Sequence, residues 1–127
     1  MNTLTLEWVI KAEGDFFTAK REVKVIKFPN YDGVCFNCQQ TAEKYLKAFL
    51  QENGHPIPKT HILMDLLALC IKIEPIFQLI QVDLNILEGY AVHFRYPGES
   101  AEKTEAKIAF KTASIAREFI RHQLGLE

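Results

Sequence analysis

Glycine and proline together supply only 11 of the 127 residues, well under their usual share. A chain so poor in turn formers does not build a loop-rich β-sandwich. Long apolar runs are missing as well. The longest stretch free of Asp, Glu, Lys and Arg is Gly33 to Ala42, ten residues, far short of the roughly 20 that a membrane helix needs. Glu7 and Lys11 interrupt the first apolar positions, so no signal-peptide h-region is visible. Net charge is nearly absent: 15 basic against 16 acidic residues leave -1 at pH 7. No global positive field exists to drive non-specific nucleic-acid binding, and any nucleotide site has to be a local arrangement of cations. Cysteine is scarce and odd in number, at three, which points to a reducing compartment rather than a disulfide framework. The expectation is a cytoplasmic protein with no membrane attachment.

What is present fits a compact helical domain. Hydrophobic residues make up 48% and charged residues 24%, the balance of an ordinary globular chain and not of a disordered one. At this length a single domain, residues 1–127, is expected to expose about 6,900 Å² when folded against roughly 21,000 Å² unfolded. That is enough burial for a core without metal or disulfide staples.

The apolar positions recur at helical spacing. Trp8, Ala12, Phe16, Ala19, Val23 and Ile26 predict a first helix from Thr3 to about Lys27, stopped by Phe28-Pro29-Asn30-Tyr31-Asp32-Gly33. Cys35, Cys38, Ala42, Tyr45 and Phe49 predict a second from about Val34 to Asn53, with Gly54 in the left-handed position just past its end. His55-Pro56-Ile57-Pro58-Lys59 reads as a stiff connector. Thr60 is a candidate N-cap for a third helix through about Cys70. Periodicity leaves Ile76 to Val82 open between a short helix and an extended connector. A fourth helix is expected over about Asp83 to Phe94. A fifth, capped by Ser100, carries Ala106, Ala109, Ala113 and Ala116 on the stripe, which allows close helix–helix approach. The short connections predict an all-α, up-and-down antiparallel bundle of four long helices plus a short extra one.

Asn37, Gln40, Lys44 and Lys47 share one face of the second helix, with the two ammonium groups about one turn apart. Two cations and two amides on a rigid face suit a phosphate and a base edge. The plain alternative is a solvated face stabilised by the Glu43–Lys47 pair. Arg95-Tyr96-Pro97-Gly98 follows the fourth helix. Arg95 there either neutralises the helix dipole or binds phosphate through its planar fork, with Tyr96 as a stacking surface. Cys35 and Cys38 form one C-x-x-C with no second ligand pair and no preceding strand, so core packing is expected rather than metal or redox chemistry. His61 opens the third helix, where the dipole favours its neutral form.

Three blocks together resemble the HEPN domain family: Gln39-Gln40-Thr41-Ala42-Glu43-Lys44-Tyr45-Leu46-Lys47-Ala48-Phe49-Leu50, then Thr60-His61, then Phe94-Arg95-Tyr96-Pro97, with an early Ala12…Asp15 and an Ala-rich last helix. The resemblance covers nearly the whole chain. It implies a helical bundle that homodimerises, binds a nucleotide without catalysis and works with a minimal nucleotidyltransferase. No cofactor or metal is implied. The implied ligand contacts are Gln40, Lys44, Lys47, His61 and Arg95, to which the residue reading adds Tyr96 as a surface for stacking on the base. One alternative is a dimerisation or protein-interaction module without ligand. Another is a metal-independent endoribonuclease, an RNA-cutting toxin, whose motif is arginine followed after four to six residues by histidine. Beyond Arg95 those offsets hold Ser100, Ala101 and Glu102, so the motif is absent there, while Arg117 and His122 reproduce the spacing on the last helix.

Overall fold

The computed structural model describes residues 1–94 and 96–127, and Arg95 therefore lies outside the described residues. The described chain exposes 7330 Å², near the area expected from its length. Its elements are α1 (Thr3–Glu22), α2 (Tyr31–Glu52), α3 (Leu63–Ile73), a 3₁₀ helix (Pro75–Ile80), α4 (Gln81–His93) and α5 (Lys103–Gln123), with no strand among the described residues.

Four helices alternate in direction. The Asn2 amide donates to Glu52 Oε1 (3.3 Å) at one end of α1 and the Asn30 amide donates to Glu22 Oε2 (3.0 Å) at the other, which sets α1 against α2. At the start of α5 the Ala101 amide donates to Asp32 Oδ1 (2.6 Å), and further along Arg121 Nη1 donates to the Tyr45 hydroxyl (3.0 Å), so α5 runs with α2. Along α4, Glu88 lies level with Gln39 and Gln40, and Phe94 with Asp32, so α4 runs against it. The result is the up-and-down all-α bundle, with α3 as the short extra helix. Connection length explains its different sense. Residues 53–62 run back along α2, so α3 begins beside Gln39 and Glu43 and has reached Leu46 by Cys70.

The core gathers around α2. Tyr45, Leu46, Leu50, Leu66, Leu84, Leu87 and Ile120 are fully buried, and the α5 alanines pack without exposure. Phe77 of the 3₁₀ helix joins the layers, its ring 4.4 Å from Phe49 and 5.1 Å from Phe119. Cys35, Cys38 and Cys70 are free thiols inside this core.

Several helix ends differ from the sequence expectation, each for a local reason. α1 stops at Glu22 and not near Lys27, and Ile26 stands in solvent instead of on the stripe. Pro29 excludes the right-handed helical conformation for Phe28, which sits at φ 51°, a left-handed geometry costing about 1–2 kcal/mol. α2 starts at Tyr31, so Asp32-Gly33 is its first turn and not a stop. The Asn30 side chain caps it by accepting from the Gly33 amide (2.8 Å). α3 starts at Leu63 rather than Thr60, because its first amides are capped from α4: Glu88 accepts from Leu63 (2.8 Å) and Met64 (3.2 Å). Glu102, not Ser100, caps α5, in a capping box whose Glu105 Oε1 accepts from the Glu102 amide (2.7 Å).

Candidate functional site

Two carboxylates organise most of the buried polar chemistry. The first is Glu13 on α1. Arg117 of α5 donates to it bidentately, Nε to Oε2 and Nη2 to Oε1, both at 2.6 Å. The Tyr45 hydroxyl donates to Oε2 (2.7 Å), and Arg121 Nη1 approaches Oε1 at 3.4 Å. Burial pushes the Glu13 pKa up, but the hydrogen bonds from Arg117 and Tyr45 and the arginine charges hold it below the ordinary carboxylate value. Burial and Glu13 push the Tyr45 phenol up to about 12. Arg117 also stacks over the Phe16 ring, its Cζ 4.4 Å from the centroid. This guanidinium is thus engaged by Glu13 and Phe16, while Arg117, Arg121 and His122 line one open recess of about 510 Å³, so the structure brings together the pair whose spacing fits the ribonuclease alternative.

The second carboxylate is Glu43 on α2. Lys47 Nζ donates to Oε2 (3.0 Å), and both side chains are buried. His61 Nδ1 lies 3.0 Å from the same oxygen. Because an ionised carboxylate only accepts, that ring nitrogen bears the hydrogen. Gln39 Nε2 bridges Glu43 Oε1 (3.4 Å) and the His61 carbonyl (3.2 Å), and Gln40 Nε2 donates to Gln39 Oε1 (2.8 Å). Burial raises the Glu43 pKa, while the His61 and Lys47 hydrogen bonds and the Lys47 charge lower it by more, so the net shift is downward. The His61 side chain is 80% exposed. It borders a recess of about 470 Å³ between α2, the segment before α3, and α4. Gln39, Gln40 and Glu88 are its polar lining, and Phe36, Ile62 and Val92 its apolar walls.

The expected ligand residues divide accordingly. Gln40 and His61 meet at this recess. Lys47 lies behind it, on the far side of Glu43, with Nζ 5.5 Å from the Trp8 ring centroid. Its face is buried, which corrects the reading of a solvated Glu43–Lys47 pair. Lys44 points to α1, where it pairs with Asp15. Tyr96 is 65% exposed beyond α4, and Arg95 lies outside the described residues. Phe36, Glu88 and Val92 carried no sequence signal, and Gln39 entered only as part of the quoted block and not as a contact. They reach the recess only because the connector turns back and α4 packs against α2.

Among the described residues, no three or more His, Cys, Asp or Glu side chains are grouped to hold a metal ion. The cysteines are unsuited to thiolate chemistry, since burial pushes Cys35 and Cys70 up to about 12 and Cys38 higher still. Among the described residues, no helix is long and apolar enough to cross a membrane.

A profile of the HEPN domain matches residues 5–123. The crystal structure of TT1696 from Thermus thermophilus is similar with a TM-score of 0.79 and 23% identity, over 93% of this chain and 96% of that one. At that identity the likeness concerns the fold. No curated protein matches the chain. With the profile spanning nearly its whole length, the chain belongs to the HEPN domain family.

Proposed function

We propose that this HEPN domain is a non-catalytic nucleotide-binding module that acts as a homodimer beside a minimal nucleotidyltransferase. The observation that carries the reading is the recess of about 470 Å³ in which Gln40 and His61 lie among apolar walls. An amide and an imidazole of fixed tautomer are complementary to a base edge, and Phe36 and Val92 offer surface for its faces. Tyr96 follows in the chain as a stacking surface, and Arg95, three residues beyond Val92, as the phosphate contact. Lys44 and Lys47 take phosphate only by exchanging Asp15 and Glu43 for it, so their share of the affinity is the smaller one.

Isothermal titration with ATP, GTP and their monophosphates tests this. Wild type is expected to bind at least one of them, and Gln40→Ala combined with His61→Ala to weaken it at least tenfold. A wild type that takes none, or a double variant that binds equally well, rejects the ligand. Co-purification of the tagged chain with a minimal nucleotidyltransferase tests the partner. Incubation with total RNA is expected to leave it intact, and a product lost in His122→Ala would establish a nuclease instead.

A further inference from the structure

The segment between α1 and α2 is an apolar finger with a basic base. Ile26 is 92% exposed and Phe28 is 100% exposed, two large side chains in solvent within one short loop. Hydrogen bonds hold both of its ends. The amides of Lys24 and Val25 donate to the carbonyls of Arg21 (3.2 Å) and Glu22 (3.0 Å), and Glu22 accepts from the Asn30 amide (3.0 Å). Phe28 has the one positive φ of any non-glycine among the described residues. A bulky side chain held in a strained backbone and pointed at water calls for a receiver. In the chain Arg21, Lys24 and Lys27 flank it, with Glu22 the one acid among them.

The same end of the bundle carries the complementary shape. Between the start of α2 and the end of α4 is a recess of about 360 Å³, walled by Phe36, Tyr90, Ala91 and Phe94 with Asp32 at its edge. Glu99, Glu102 and Glu105 line the adjoining surface. We propose that the finger of one copy enters this acid-rimmed recess of a second copy, reciprocally, so that Ile26 and Phe28 are the anchors of the homodimer. Two-fold symmetry favours the arrangement, since finger and recess adjoin on one face and each copy gives one of each. Charge argues against an anionic membrane as receiver, because a plane resting on this end also meets Asp32, Glu99 and Glu102. The inference rests on the dimer half of the proposed function and locates its seam.

Sedimentation equilibrium on the full chain tests it, with circular dichroism confirming that each variant is folded. Wild type is expected to dimerise at micromolar concentration and to weaken about tenfold between low and high salt. Ile26→Asp with Phe28→Asp is expected to weaken dimerisation at least a hundredfold, and Ala91→Arg, in the recess wall, comparably. Lys27→Glu and Glu99→Lys are each expected to weaken it, and their combination to recover the loss. A monomeric wild type overturns this inference and the dimer reading together. A wild-type dimer that persists in the finger variant, or in Ala91→Arg, overturns the seam and leaves the dimer standing. Binding of the monomer to phosphatidylserine vesicles, lost with Phe28→Asp, overturns it in favour of a membrane.

Discussion

The Glu13 and Glu43 clusters have the same plan but leave different groups free at the surface. Each is a carboxylate in a helix seam that collects cations and a neutral hydrogen-bonding partner, and each has its pKa held down by them. Around Glu13, Tyr45 is in the core and Arg117 is clamped between the carboxylate and Phe16, and although Arg117 and Arg121 reach an open recess of about 510 Å³, their donors are committed to Glu13, Tyr45 and Glu127. Around Glu43 the buried pair with Lys47 faces the core, but His61 takes the same oxygen from outside and borders an open recess. A polar cluster at a helix junction is therefore no evidence of a site by itself. Function is placed where such a cluster fixes the orientation of a group that solvent and ligand reach.

The largest way to break this comparison is to remove the carboxylate that is more deeply buried. Glu43→Leu strands the Lys47 ammonium in the protein, and leaving a buried charge unpaired costs about 3–5 kcal/mol. Urea unfolding is expected to show that loss. Adding Lys47→Met is expected to recover most of it, since an apolar pair of similar volume replaces an ion pair at little net cost. Glu13→Ala is expected to cost less, about 2 kcal/mol, because Arg117 and Arg121 are partly solvated and rehydrate when their partner is gone.

Both clusters write themselves into the pH dependence of stability. The folded pKa values of Glu13 and Glu43 lie below 4.5. The unfolded chain thus binds protons first as pH falls, and their contribution, complete above about pH 4.5, is lost as pH drops through the folded values. At the alkaline side the signs reverse. Cys35 and Cys70 are raised from 9.0 to about 12, and Tyr45 from 10.0 to about 12. Their contribution is complete below about pH 9 and is lost as pH rises toward 12. Thermal melts across both limbs check this. Tyr45→Phe is expected to flatten the alkaline limb while leaving the Glu43 part of the acid limb unchanged, which separates the two clusters.

The bundle was legible because burial is periodic: the stripes that run through Ala12 and Phe16, Tyr45 and Phe49, and Ala109 and Ala113 are inside. Ends were less so where their causes are remote. Nothing near Leu63 announces that Glu88 caps it from 25 residues away, whereas Gly54, at φ 68°, is a local signal and sits where its residue type requires. The candidate site was legible by half for a related reason. Helical spacing places Gln40, Lys44 and Lys47 on one helix face, but it says nothing of which neighbour each meets. Asp15 on α1 draws Lys44 away, and the back-turning connector delivers His61 to Glu43. Spacing fixes the face; the opposing helices decide the use.

The smallest effect on stability is expected where the comparison is sharpest. His61→Ala removes one hydrogen bond to Glu43 from a side chain that is mostly in water, and Lys47 and Gln39 still satisfy that carboxylate. The loss of stability is expected to stay within about 0.5 kcal/mol. If His61 presents its second nitrogen to a ligand, the same substitution removes a hydrogen bond worth about 1.4 kcal/mol, a tenfold loss of nucleotide affinity. Arg121→Ala reverses the ratio, because its partners are the Tyr45 hydroxyl, Glu13 and the Glu127 main-chain oxygen, away from the recess that His61 borders. It is expected to lower the melting temperature measurably and to leave nucleotide titrations unchanged. Equal losses of stability and affinity in both variants would mean that His61 is as fully committed to its carboxylate as Arg121 is to its partners. In that case His61 is a strut of the fold and the recess has no preorganised imidazole.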